Sequence, residues 1–165
     1  MYTVHATAKL LKRVKQKPGD RVEPDTALGN WYANTVPWRP QTAVFVAEST
    51  LLPVFLPLAP AASLLDRFPD QLAVVLDRLG APTTFIEDER GAMADHCWSK
   101  TASRSVLGVM NEFVFLADHY RRYHGQPQPD LVELSVQLSR TPCSPLYGAH
   151  TSPDRAVAAL IDGHR

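Results

Sequence analysis

Cysteine is scarce in this chain, and several other features that would narrow its function are missing as well. Cys97 and Cys143 are the only 2 cysteines in 165 residues, and they lie far apart with no CxxC or other metal-ligand spacing. A disulfide scaffold is excluded, and both are expected to be free thiols in a reducing compartment, which places the chain in the cytoplasm. Net charge is missing too: Lys+Arg and Asp+Glu both number 17, so no long-range field draws the molecule to polyanions or acidic membranes. The longest charge-free stretch, Ser49 to Leu65, is broken by Pro53, Pro57 and Pro60 and is too short to span a bilayer as a helix. The N-terminus carries Thr3, His5 and then lysines rather than an apolar leader, so no membrane partner is expected. A nucleophile elbow, a P-loop, a dinucleotide fingerprint and an HExxH pair are all lacking. The 6 histidines are scattered, and His119 and His124 do not share a helix face, so neither a metal nor a cofactor is expected.

What is present is ordinary globular material, 45% hydrophobic and 21% charged. The length suits one domain over residues 1–165, large enough to bury roughly two-thirds of its unfolded surface without cross-links. Residues 1–7 alternate as a short strand, and Thr7 caps a helix with Leu10, Leu11 and Val14 on its apolar stripe. Gly29 to Trp38 reads as a strand ended by Pro37 and Pro40. Thr42 to Ala47 and Leu51 to Leu56 flank a short polar turn and predict an antiparallel hairpin, with Pro53 putting its second strand at a sheet edge.

The later part of the chain is mainly helical. A helical turn starts at Ser63, Pro69 restarts the helix at a first position, and Leu72, Val75, Leu76 and Leu79 form its stripe up to Gly80. Thr84 to Glu87 fits a capping box, and the acidic run Glu87-Asp88-Glu89 favours the positive end of that helix. A strand over Asp95 to Thr101 is followed by a long helix from Ser105 to Tyr123, and further helices are predicted over Asp130–Ser139 and Ser152–Ile161. This order predicts an α+β fold: a small, mainly antiparallel sheet with a hairpin, and helices packed on one face.

Three segments carry a more specific pattern: Leu28 to Asn34 (LGNWYAN), Phe45 to Val54 with Glu48, Thr50, Leu51, Leu52 and Pro53, and Lys100 to Glu112 with Thr101, Arg104, Ser105, Gly108, Met110 and Asn111. In order and spacing they resemble an uncharacterised bacterial family, the domain-of-unknown-function family numbered 6933. The resemblance covers residues 1–125, leaving 126–165 as a helical C-terminal extension of the same domain. It departs at Ser103, where the family usually has Asn, and at Val109, where Ser is common. It supports the fold and implies no activity, substrate or catalytic residue.

Four places can carry chemistry. Lys100, Thr101, Arg104 and Ser105 lie on a strand-to-helix turn whose free N–H groups and two cations can hold a phosphate or carboxylate; simple helix capping by Ser103 or Ser105 is the plainer reading. Asn111 falls beside the apolar stripe, with Arg104, Asp118 and Arg122 on its flank. It either contacts a ligand or bonds a neighbouring loop and fixes the packing. Trp31, Tyr32 and Trp38 flank Arg39 in a proline-rich corner that suits a pocket or ordinary core. Lys9, Lys12, Arg13, Lys15 and Lys17 line the first helix as a phosphate-backbone contact or, more simply, a solvated face.

These readings lead to a small binding or interaction module whose contact surface is the Lys100–Asn111 junction, with a protein partner or a small anionic ligand. The alternatives are an enzyme acting on an anionic small molecule at the same junction, and a nucleic-acid-binding protein. Self-association into a homodimer through the Pro53 edge is a further expectation. An enclosed pocket around Arg104 and Asn111 would favour the enzyme, and an open surface the binding module.

Overall fold

The structure, a computed structural model, describes residues 1–164. Its first third follows the sequence pattern. Strand β1 (Tyr2–Ala6) ends at Thr7, whose hydroxyl accepts the Leu10 N–H and opens helix α1 (Ala8–Val14). Lys15, at φ 58°, closes that helix in the left-handed region. Then come β2 (Trp31–Val36), β3 (Thr42–Ala47) and β4 (Pro53–Pro57). The last two pair antiparallel as the expected hairpin, from Thr42 opposite Pro57 to Val46 opposite Pro53.

Two helix starts differ from expectation. Helix α2 runs unbroken over Leu64–Arg78 with Pro69 inside it. Pro69 therefore does not restart the helix: only one ladder bond is lost, and the burial of Leu64, Leu65, Phe68, Leu72, Val75 and Leu76 outweighs it. Helix α3 (Thr83–Ala92) begins after Pro82, with no side-chain cap. Thr84 thus sits inside the first turn rather than capping it, and Glu89 turns inward instead of facing solvent. The remaining elements are β5 (His96–Lys100), α4 (Arg104–Tyr123), α5 (Leu131–Leu138) and α6 (Pro153–Gly163). Cys97 and Cys143 are free thiols. No helix among the described residues is long and apolar enough to cross a membrane.

The fold class is α+β, but the sheet is mixed rather than mainly antiparallel. Strand order is β4-β3-β2-β1-β5. β1 is an interior strand, next to the β5 edge, and runs parallel to both β2 and β5, whereas β2, β3 and β4 form an antiparallel meander. Parallel neighbours require long crossovers, usually helical, and the chain supplies them as α1 with its following loop and as α2 with α3.

Helices also cover both faces, correcting the expectation of one. Tyr2, Val4, Ala6, Trp31, Ala33, Phe45, Val54 and Leu56 pack against α1, α2, α3 and α6. At the centre of that layer Phe68 stacks on Phe45 with ring centroids 4.1 Å apart and meets Trp31 edge-on at 4.9 Å. The alternate residues Tyr32, Val36, Val44, Val46 and Phe55 face the other way, onto Val106, Met110, Phe113 and Ala117 of α4 and Leu134 and Leu138 of α5. The two-residue period of a strand makes this second face, and the long stripe of α4 fills it.

The β4 edge is closed. Of its outward positions, Pro53 and Pro57 have no N–H, and the Phe55 N–H donates to Ser135 Oγ on α5 at 2.9 Å. The Phe55 carbonyl accepts from Gln71 at 2.9 Å and the Pro57 carbonyl from Arg67 at 2.7 Å. At the other edge, Gly19 donates to the Trp98 carbonyl at 2.8 Å. A second strand finds few free partners on β4, which removes the basis for the expected self-association there.

Candidate functional site

β1 and β5 lie side by side and parallel, with Ala6 opposite Lys100, yet the helices that follow them leave on opposite faces of the sheet. α1 goes to the Trp31 face and α4 to the Tyr32 face. Such a divergence, just beyond the carboxyl ends of parallel strands, is where open α/β sheets hold ligands. The turn Lys100–Ser105 lies there.

That turn is built from beneath. His5, on β1, and Tyr32, on β2, stack with centroids 4.7 Å apart at 26°. His5 Nδ1 lies 2.7 Å from the Lys100 carbonyl oxygen. Because a carbonyl only accepts, Nδ1 carries a proton in this bond, while Nε2 is buried and has no partner among the described residues. The Ser103 N–H donates to the Tyr32 hydroxyl at 2.9 Å, and Ser103 Oγ caps α4 by accepting the Val106 N–H at 3.2 Å. Of the first backbone donors of α4, those of Arg104 and Ser105 have no partner among the described residues. Lys100, Arg104 and Ser105 are exposed and Thr101 is half-buried. Among the described residues neither Lys100 nor Arg104 takes part in an ion pair.

The other expected residues are placed differently. Asn111 is exposed, about 100° round α4 from buried Met110. It does not fix the sheet-helix packing, because the stripe that touches the sheet is narrow. Asp118 on that helix pairs with Arg121 and Arg122, each at 3.1 Å. Trp31 is fully buried among α2 residues, and Tyr32 is buried on the opposite face apart from its bond to the junction. Arg39 is exposed, and the guanidinium that stacks on Trp38 belongs to Arg121, 4.6 Å from the ring centroid. The basic residues Lys9, Lys12, Arg13, Lys15 and Lys17 of the first helix region are all exposed.

The cavities lie elsewhere. One of about 300 Å³ is an apolar hollow between Trp38, Pro40, Pro57, Pro127 and Pro129. Another, about 460 Å³, opens at the amino ends of β1 and β2 between Thr26, Phe85, Asp88, Glu89 and His164. Its Glu89 carboxylate accepts the Ala27 N–H at 2.8 Å and the Leu28 N–H at 3.2 Å. Burial raises the Glu89 pKa above the ordinary carboxylate value, and the two N–H bonds only partly offset that. Beside it the Met1 ammonium binds Asp25 at 2.6 Å and the Ala92 carbonyl at 2.7 Å. No group of three or more His, Cys, Asp or Glu among the described residues is arranged to hold a metal ion.

The family described as a domain of unknown function, DUF6933, matches residues 3–156. The chain belongs to this family. Neither a curated protein nor a solved structure matches it. The family span begins in β1 and reaches into α6, beyond residue 125 where the motif resemblance stops, so it takes in α5 and the Ser135 bond that closes the β4 edge.

Sequence reasoning missed His5, Glu89 and Arg121. His5 stands in an alternating strand and Glu89 in an acidic helical run, and nothing in either local pattern marks a buried group. Ser103 was readable as a cap by its position before Arg104, and that is its role.

Proposed function

We propose that this chain is a single-domain binding module that takes an anionic group of its partner, a carboxylate or phosphate, at the Lys100–Asn111 junction. The observation that carries the reading is the set of uncommitted donors at the strand divergence. The Arg104 and Ser105 N–H groups, the Lys100 and Arg104 side chains and the Ser105 hydroxyl lie within the 100–105 turn, with no acidic side chain among the described residues paired to them. The start of a 20-residue helix adds its positive dipole end at the same point. Arg104, Ser105, Gly108, Asn111 and Glu112 form an open, exposed face of α4 rather than the wall of a closed pocket. That openness favours a partner's surface group over a substrate sealed from water. Free Cys97 and Cys143 are consistent with a reducing compartment such as the cytoplasm.

Titrating the isotopically labelled full chain with inorganic phosphate, and separately with acetate, tests this. Saturable shifts of the Arg104 and Ser105 amides are expected, with affinity falling about fivefold or more in Arg104→Ala and in Lys100→Ala. Shifts that do not saturate, or that survive both substitutions, would refute the reading, and preference between the two anions identifies the group recognised.

A further inference from the structure

We propose that His5 is a positioning residue of this surface: its Nδ1–H, with the Tyr32 hydroxyl, holds the Lys100–Ser103 turn in the shape that sets Lys100 and Arg104 at one anion. The inference rests on the binding reading above and adds a residue that never touches the partner.

His5 is 2% exposed. An imidazole at such a place is costly, because Nε2 is shut away from water without a donor to face it. A leucine would fill the space without that cost. What leucine lacks is the Nδ1–H, and this group makes the 2.7 Å bond to the carbonyl of Lys100, the last residue of β5. Three residues later the chain is tied again, by the Ser103 N–H on the Tyr32 hydroxyl at 2.9 Å. The two anchoring rings are stacked on each other. They come from β1 and β2, whose pairing puts His5 opposite Tyr32. Both ties hold backbone atoms, one at each end of the segment that carries Lys100, Thr101 and the α4 start. Loss of either frees the turn to move, and the spacing of the two cations moves with it.

The test uses the full chain and three variants: His5→Leu, His5→Asn and Tyr32→Phe. Asparagine places its side-chain N–H close to where Nδ1–H sits, so it keeps the bond to Lys100 and discards Nε2. Tyr32→Phe keeps the buried ring and removes only the acceptor for Ser103. Amide hydrogen exchange without ligand is read at Ser103, the turn amide that has a partner, against the β3 amides of Thr42–Ala47 as a monitor of global opening. Phosphate affinity is read by the titration above.

Exchange at the Ser103 amide is expected to speed by about tenfold in Tyr32→Phe while the β3 amides change much less. His5→Leu is expected to speed exchange at the Ser103 amide and weaken phosphate binding by about five- to tenfold, and His5→Asn to restore both. The inference is overturned if His5→Leu and His5→Asn behave alike, or if β3 and the turn change by one common factor, as a merely structural role requires. It is also overturned if phosphate binds in an Arg104-dependent way with equal affinity in His5→Leu. If the exchange pattern holds but the unsubstituted chain binds no phosphate, the turn is positioned as described and the binding reading alone fails.

Discussion

Glu89 and His5 are both titratable, both 2% exposed and both close to a strand end of the same sheet, yet their surroundings differ. Glu89, below the amino ends of β1 and β2, has a backbone N–H on each of its oxygens, from Ala27 and Leu28. The Met1 ammonium nearby is likewise tied, to Asp25 and the Ala92 carbonyl. His5, at the carboxyl end, has one nitrogen bonded and the other orphaned, below a turn with two cations and two N–H groups that have no partner among the described residues. At the first end the Glu89 oxygens and the Met1 ammonium are committed to closing the fold, and the Tyr2 hydroxyl and Trp31 indole N–H, buried without a partner among the described residues, are sealed in the core. The second end differs in presenting exposed donors, and unused capacity at a surface is where a partner gains most.

The largest expected effect lies at the committed end. Glu89→Ala strands the Ala27 and Leu28 N–H groups inside the protein and is expected to cost about 2–4 kcal/mol of unfolding free energy, measured by denaturant titration. A loss below that found for Tyr32→Phe would reverse the contrast between the ends. The same carboxylate predicts a pH effect. Its pKa is raised by burial, so the folded chain binds this proton more tightly than the unfolded chain does. The stability linked to Glu89 is then greatest at low pH and falls as pH rises from the ordinary carboxylate value through the raised one. Stability measured against pH should show this slope in the unsubstituted chain and lose it in Glu89→Gln; an unchanged slope would assign it to another group.

At the other end the effects on stability shrink while those on binding grow. Tyr32→Phe removes one hydrogen bond and leaves the ring, so about 1 kcal/mol is expected by thermal or chemical unfolding. Smallest are Arg104→Ala and Asn111→Ala, both exposed, which should stay within about 0.5 kcal/mol of the unsubstituted chain. Only Arg104→Ala should weaken phosphate binding. An Asn111→Ala loss above about 1 kcal/mol would return that amide to a packing role.

Cysteine reactivity sharpens a further contrast, between the two thiols. Burial pushes the Cys143 pKa up to about 11, whereas Cys97 is half-buried near the Thr3 hydroxyl at 3.4 Å. Native alkylation followed by intact mass should therefore label Cys97 first, and both once the chain is unfolded without reductant.

Much of the fold was legible because it is local. Thr7, Ser103 and Asp130 occupy N-cap positions and accept helix N–H groups, and the 42–56 hairpin shows in two apolar runs about a polar turn. The junction was legible as a cluster of donors from residue types alone. Asn111 was misread because a wheel gives angles within one helix and not the width of the surface pressed against it. Pro69 was misread because a proline's local cost is visible in sequence, while the burial of Phe68 beneath Trp31 and Phe45 is not.

By itself the sequence determined which segments become helices and strands, several of their caps and apolar faces, and the charges along the Lys100–Arg104 turn, since propensity, capping and periodicity act over a few residues. Tertiary structure alone decided that β1 lies inside the sheet with parallel neighbours on both sides, because strand pairing joins residues as distant as Val4 and Trp98. That one choice sends α1 and α4 to opposite faces. It also puts His5 of β1 under the Lys100 carbonyl, 95 positions away in the chain, where no local pattern reaches.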